Sequence, residues 1–141
     1  MPGLGQFLNG KYVKALTLVF LEFIINVQSR LNLSIIYSFQ GKMSQAIEVT
    51  NYQWLMFYPC IYLFAIWDGY HDALKLSQRE PRPFLSVPFV MSAFITTIGV
   101  IYSNIGVLGH IFGPVFMPIL AMIIGYGVGV LVKKWLLVRI G

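Results

Sequence analysis

Glu22 is the acid in this chain whose surroundings most need a partner. It lies inside the apolar run from Tyr12 to Val27. Lys14 sits two helical turns before it, Asn26 one turn after it and Arg30 two turns after it. Residues at i, i+4 spacing share one helix face, so Lys14, Glu22, Asn26 and Arg30 form a polar stripe on an otherwise apolar helix. A charge at bilayer depth costs about 2.5–3.5 kcal/mol on insertion scales, so it requires water or a polar neighbour. Two roles fit the stripe. One is an ion or proton path. The other is a hydrogen bond to a neighbouring helix, with Ser92, Thr96 and Thr97 as partners. A second cluster, Asp68, His71 and Asp72, occupies i, i+3 and i+4. Such a set could relay protons or hold a metal. It equally describes a solvated helix end in which Asp68 pairs with Lys75 or Lys11. With only two histidines and no second ligand cluster, no residue is assigned to a metal. Cys60 is the sole cysteine, which excludes an intrachain disulfide and a Cys-rich zinc site; the expectation is a buried, inert thiol. No nucleophile motif, phosphate loop or dinucleotide fingerprint occurs. No catalytic residue and no cofactor is assigned, and the chain is read as a non-enzyme.

The elements that carry these residues follow from composition. Of 141 residues, 57% are hydrophobic and 11% charged, and the mean hydropathy is +0.74. Soluble domains carry about 25% charged residues. The chain therefore reads as an all-α integral membrane bundle, with no soluble or disordered domain. From Phe84 to Val132 there is no Asp, Glu, Lys or Arg, with turn signals at Ser103-Asn104, Gly106, Gly109-His110 and Gly113-Pro114. Residues 1–141 are expected to form a single membrane domain with four transmembrane helices, at about 12–28, 52–68, 84–103 and 114–133.

Orientation follows the basic residues. Lys11, Lys14, Lys75, Arg79, Arg82, Lys133, Lys134 and Arg139 fall on one side of such a bundle, and only Arg30 and Lys42 on the other. Both termini are thus expected in the cytoplasm. The net charge of +5 is read as a topology signal. Nucleic acid is discounted as a partner because the cations sit at span ends and form no stripe. Trp67 and Trp135 mark one headgroup level, and Tyr52, Trp54 and Tyr102 the other.

Between the first two spans, Ile35, Ile36, Phe39, Met43, Ala46 and Ile47 recur at helical spacing, with Ser34, Ser38, Lys42, Gln45 and Glu48 opposite. This predicts one amphipathic surface helix over about 31–50. Gly125 and Gly129 form a GxxxG pair, which predicts close helix contact within the bundle or between subunits. Pro59, Pro88, Pro114 and Pro118 fall in predicted spans, where prolines tend to kink helices.

Two stretches carry a resemblance. Pro2-Gly3-Leu4-Gly5-Gln6-Phe7-Leu8-Asn9-Gly10 with Lys14, and Trp67-Asp68-Gly69-Tyr70-His71-Asp72-Ala73, resemble small bacterial multispan membrane proteins that open with Pro-Gly-x-Gly-Gln and end a later span with Trp-Asp. More loosely they are similar to the TM2-domain family, with an amphipathic insert between the helices. The resemblance implies a bacterial cytoplasmic membrane setting and the same topology. A Gly-rich opening tucked under the bundle is expected to pack against Trp67–Asp72.

The functional expectation is a homo-oligomeric ion channel or transport component in which the polar face of the first helix lines a water path. The alternative is an assembly, scaffold or accessory subunit of a larger membrane complex. A lipid-modifying enzyme is a third class, for which only Asp68, Asp72 and Glu80 qualify as interfacial acids. The expected partners are the lipid bilayer and either further copies of this chain or another membrane protein.

Overall fold

The computed structural model describes residues 1–106 and 110–140. The chain is all-helical: α1 (Leu4–Leu8), α2 (Tyr12–Ser29), α3 (Leu31–Phe39), α4 (Met43–Val49), α5 (Tyr52–Leu55), α6 (Phe57–Leu76), α7 (Val87–Ile101) and α8 (Gly113–Ile140). Two of these, α2 with 18 residues and α8 over Gly113–Arg139, are long and apolar enough to cross a membrane. Only 22% of each apolar stretch is buried. The core helix of a water-soluble domain would be mostly covered, whereas here Phe20, Phe23, Ile123, Ile124 and Leu131 point outward. The other two expected spans meet that standard less well. Helix α7 is apolar but has 15 residues, about 22 Å at 1.5 Å per residue. Helix α6 has 20 residues but carries Asp68, His71, Asp72 and Lys75 in its last turns. Of the turn signals, Gly109 lies outside the described residues.

Helices α7 and α8 form an antiparallel hairpin built on small residues. A Cβ on Gly125 would lie 2.8 Å from the Cα of Ser92, and one on Gly129 would lie 2.5 Å from the Cα of Pro88. Lower on the same seam Gly99 faces Ala121. With no side chain in the way the two backbones approach closely, which is how helices gain packing where lipid is as apolar as Leu. The GxxxG pair therefore faces a helix of the same chain. Ser92 Oγ donates to the Met122 carbonyl at 2.9 Å across this seam.

The expected kinks are fewer than the prolines. Pro59, Pro88 and Pro114 stand in the first turns of α6, α7 and α8, where backbone N–H groups have no intrahelical acceptor and proline is tolerated. Among the described residues only Pro118 lies inside a helix.

The single amphipathic helix expected over 31–50 is instead a helical hairpin. Arg30, at φ 55°, separates α2 from α3, and the chain reverses at Gln40–Lys42. Gly41 supplies the left-handed residue (φ 74°) of that turn, and Lys42 N donates to the Tyr37 carbonyl at 2.9 Å. Around α4 the expected sides hold, with Ala46 buried and Lys42, Gln45 and Glu48 exposed, but in α3 they are inverted. Ser34 and Ser38 are buried, at 0% and 2% exposure, while Ile36 and Phe39 are 49% and 71% exposed. Small residues let α3 and α4 approach. The Thr50 hydroxyl lies 2.6 Å from the Ala46 carbonyl and 2.9 Å from the Ser34 hydroxyl. At its base the hairpin closes through Asn51 N donating to the Ser29 carbonyl at 3.1 Å. Its tip meets α8, with Phe39 edge-on to Phe116 at 5.2 Å.

These packings give the molecule two distinct ends. The start of α2, the end of α6, the start of α7 and the end of α8 share one end. The α3–α4 hairpin and a small apolar core of Leu31, Leu55 and Val100 occupy the other.

Candidate functional site: a polar clasp between α1, α2 and α6

Helix α1 is short because glycine opens it. Gly3 adopts φ 90°, and a Cβ there would stand 2.6 Å from the Ala15 carbonyl oxygen, so only glycine lets α1 fold back against α2. This places Gln6, Asn9 and Lys14 along the Ala65–Asp72 stretch of α6. Gln6 is wholly buried. Its Nε2 donates to the Ala65 carbonyl at 2.8 Å and to Asp68 Oδ2 at 3.0 Å. Asn9 Nδ2 donates to the Gly69 carbonyl at 2.7 Å. Gly5 and Gly69 lie back to back, since a Cβ on Gly69 would be 3.4 Å from the Gly5 Cα.

Lys14 completes the clasp. Its Nζ donates to Asp68 Oδ1 at 2.7 Å and to Asp72 Oδ2 at 3.0 Å. The two aspartates share one face because they are four residues apart. The Lys14 side chain is 48% exposed, the carboxylates only 10% and 12%. A largely covered carboxylate pair is thus held by one cation that reaches it from solvent. Asp68 pairs with neither Lys75 nor Lys11, the partners expected from sequence. Lys75 lies two turns further along the same helix, and Lys11 precedes the first turn of α2. His71 stacks on Trp67, with ring centroids 5.3 Å apart, and lies near enough for its charge to act on Asp68. Among the described residues no group of three His, Cys, Asp or Glu could hold a metal ion.

The polar stripe of α2 is not continuous. Lys14 is engaged by the aspartates. Eight residues on, Glu22 Oε1 accepts a long hydrogen bond of 3.4 Å from the Tyr58 hydroxyl of α6. Arg30 is exposed in the left-handed break after α2. Asn26 is half-buried, and its backbone carbonyl accepts from the Ser29 hydroxyl at 3.3 Å. The residues expected beside Glu22 are occupied elsewhere: Thr96 and Thr97 hydroxyls donate to the Ser92 and Ala93 carbonyls, and Ser92 reaches α8. Tyr58 is the contact that sequence reasoning missed. Antiparallel register could have found it, because Lys14 with Asp68 and Glu22 with Tyr58 are nearly equal steps along two antiparallel helices. Tyr58 also lines an apolar cavity of about 410 Å³ between α3, α6, α7 and α8.

Comparison of the chain with family models, with curated proteins and with solved structures gives no match in any of the three. The arrangement itself therefore carries the functional reading. The Gly-rich opening and the Trp67–Asp72 segment, expected to pack against each other, form one site. Cys60, expected to be buried, is exposed, with Sγ 3.9 Å from Thr97 Oγ1.

Proposed function

We propose that the chain is a small non-enzymatic membrane protein that serves as an assembly, scaffold or accessory subunit. In this reading α2, α5–α6, α7 and α8 cross a bilayer, and both termini lie in the cytoplasm. The Pro-Gly-x-Gly-Gln resemblance favours a bacterial cytoplasmic membrane. The gathering of α2's start, α6's end, α7's start and α8's end at one end of the molecule supports this topology, because that end holds the eight expected cytoplasmic cations.

One observation favours the accessory role over conduction: α6 of the same chain engages both charged groups of α2 that lie within the helix, Lys14 and Glu22. A conducting face needs polar groups that remain free to exchange partners with an ion or with water. What α2 leaves outward is apolar, with Val13, Leu16, Phe20, Phe23 and Val27 exposed, and suits lipid or another membrane helix.

A channel is the second reading, and a different observation favours it. Glu22 is only half-buried, and its one hydrogen bond among the described residues is long. Ion flux into liposomes separates the two, paired with the native mass of the complex in mild detergent. The accessory reading expects flux no greater than in empty liposomes, unchanged in Glu22→Gln, and a mass that includes a partner protein. Flux that Glu22→Gln abolishes while the oligomer persists would overturn it.

A further inference from the structure

We propose that the cleft between α6, the 79–85 loop and α8 binds the phosphate of an anionic phospholipid headgroup. The cleft has a volume of about 820 Å³. Arg79 and Arg82 line it from the loop, Lys133 and Lys134 from α8, and Glu80 is the one acid among its lining residues. Both salt bridges among the described residues belong to Lys14, so none of these four cations is neutralised by a described carboxylate. Four cations against one acid leave the lining with a net positive charge.

Topology alone does not require this arrangement. Cations that set orientation need only lie on the correct side of a membrane; they need not converge on one cavity. Here the loop is shaped to bring them together. Gln78 (φ 53°) and Phe84 (φ 56°) both hold left-handed backbone without being glycine, a conformation that costs free energy and persists where surrounding structure enforces it. Arg79 N donates to the Leu74 carbonyl at 3.0 Å, folding the loop back over the end of α6. Pro81 and Pro83 stiffen the segment between the two turns.

The rest of the lining selects the ligand. Ile66 of α6 and Val130 of α8 give the cleft apolar walls, and Tyr126 lines it as well. A phosphodiester spreads one charge over oxygens that an Arg fork and a Lys ammonium both satisfy. Its acyl chains would continue along the apolar walls. A zwitterionic headgroup brings a cation that this cleft repels. Inorganic phosphate offers the same oxygens but nothing for the walls. Basic pockets between helices on the cytoplasmic side are the physical setting in which anionic headgroups bind.

The inference rests on the membrane reading above, and the test separates the two. The full chain is purified in mild detergent, and adducts are measured by native mass spectrometry with phosphatidylglycerol, phosphatidylcholine or inorganic phosphate added. The expected result is retention of phosphatidylglycerol over phosphatidylcholine, with no phosphate adduct. Arg82→Gln with Lys133→Gln lowers phosphatidylglycerol retention about 25-fold, at about fivefold per cation, and Lys42→Gln at the far end leaves it unchanged. Arg82→Lys with Lys133→Arg restores most of it, which a folding defect would not. Equal retention of the two lipids, an undiminished signal in the double Gln variant, or phosphate binding without lipid preference each overturns the proposal. Topology is read independently, by labelling Ser77→Cys and Gln40→Cys, both exposed, from either side of the membrane in a Cys60→Ala background. Labelling of both from one side breaks the membrane reading whatever the lipid result.

Discussion

The α7–α8 seam and the α1–α2–α6 clasp hold helices together by opposite means. In the seam side chains are missing: Gly99, Gly125 and Gly129 allow backbone against backbone. In the clasp polar side chains are inserted: Gln6, Asn9 and Lys14 reach carbonyls and carboxylates of α6. On the membrane reading proposed above, the difference follows from the surroundings of each. In an apolar medium large apolar residues give helices no preference for one another over lipid. The seam runs from Pro88 to Gly99 on α7 and from Ala121 to Gly129 on α8, and close backbone packing joins the two helices there without burying a charge. At the helix end water reaches Lys14, so charge can be used without being stranded. The seam should therefore fail through steric overlap, and the clasp through loss of charge balance.

The largest effect is expected in the seam. Gly129→Leu would press its side chain into Pro88 and Met91 and destabilise the hairpin by about 3 kcal/mol, at the upper end of overpacking costs. Thermal unfolding in detergent, followed by circular dichroism, measures this. Gly127 lies two residues away, and a Cβ there would meet nothing within 4 Å, so Gly127→Ala serves as the contrast. It should be neutral or stabilising by up to about 1 kcal/mol, because alanine restricts the unfolded helix more than glycine. A loss in Gly127→Ala equal to that in Gly129→Leu would show that the seam is not sterically specific.

Next comes the clasp. Lys14→Met leaves Asp68 and Asp72 covered and without their cation. The expected cost is about 2 kcal/mol, below that of breaking a fully buried pair because Lys14 is half exposed. The same melting assay repeated at acidic pH should narrow the deficit, since protonated carboxyls need no cation. A deficit independent of pH would mean that the lysine stem, rather than its charge, holds α2 to α6.

The two regions also differ in how far they could be read in advance. Gly125 and Gly129 stand in a recognisable spacing, and the packing of the Gly-rich opening against Trp67–Asp72 was expected from the resemblance that the two stretches carry. Gly99 lacks a partner glycine at i+4, so nothing local marked it as part of the seam. Fold class and the two longest apolar helices were legible from hydropathy. The α3–α4 hairpin was not. A helical period continues unbroken through Gln40–Lys42 in the sequence, whereas Gly41 reverses the chain there and turns the serine face inward. Periodicity reports which residues share a face, but it cannot say whether that face meets water, lipid or a second helix.

The smallest effect is expected at Glu22 and Tyr58, where a polar contact joins the middle of α2 to the first turn of α6. Their hydrogen bond is long, at 3.4 Å, and both residues are only half-buried. Tyr58→Phe and Glu22→Met, which removes the acceptor oxygen, should each cost about 0.5 kcal/mol, in line with weak interhelical hydrogen bonds in membranes. A double-mutant cycle isolates the coupling, because removing either partner already removes the bond, so the second substitution should add little. A coupling as large as the Lys14→Met effect would make Glu22 a second clasp, and α2 and α6 would then be held by polar contacts along their whole shared length. A coupling near zero would instead free the Glu22 carboxylate from any structural duty, and strengthen the case that it meets an ion.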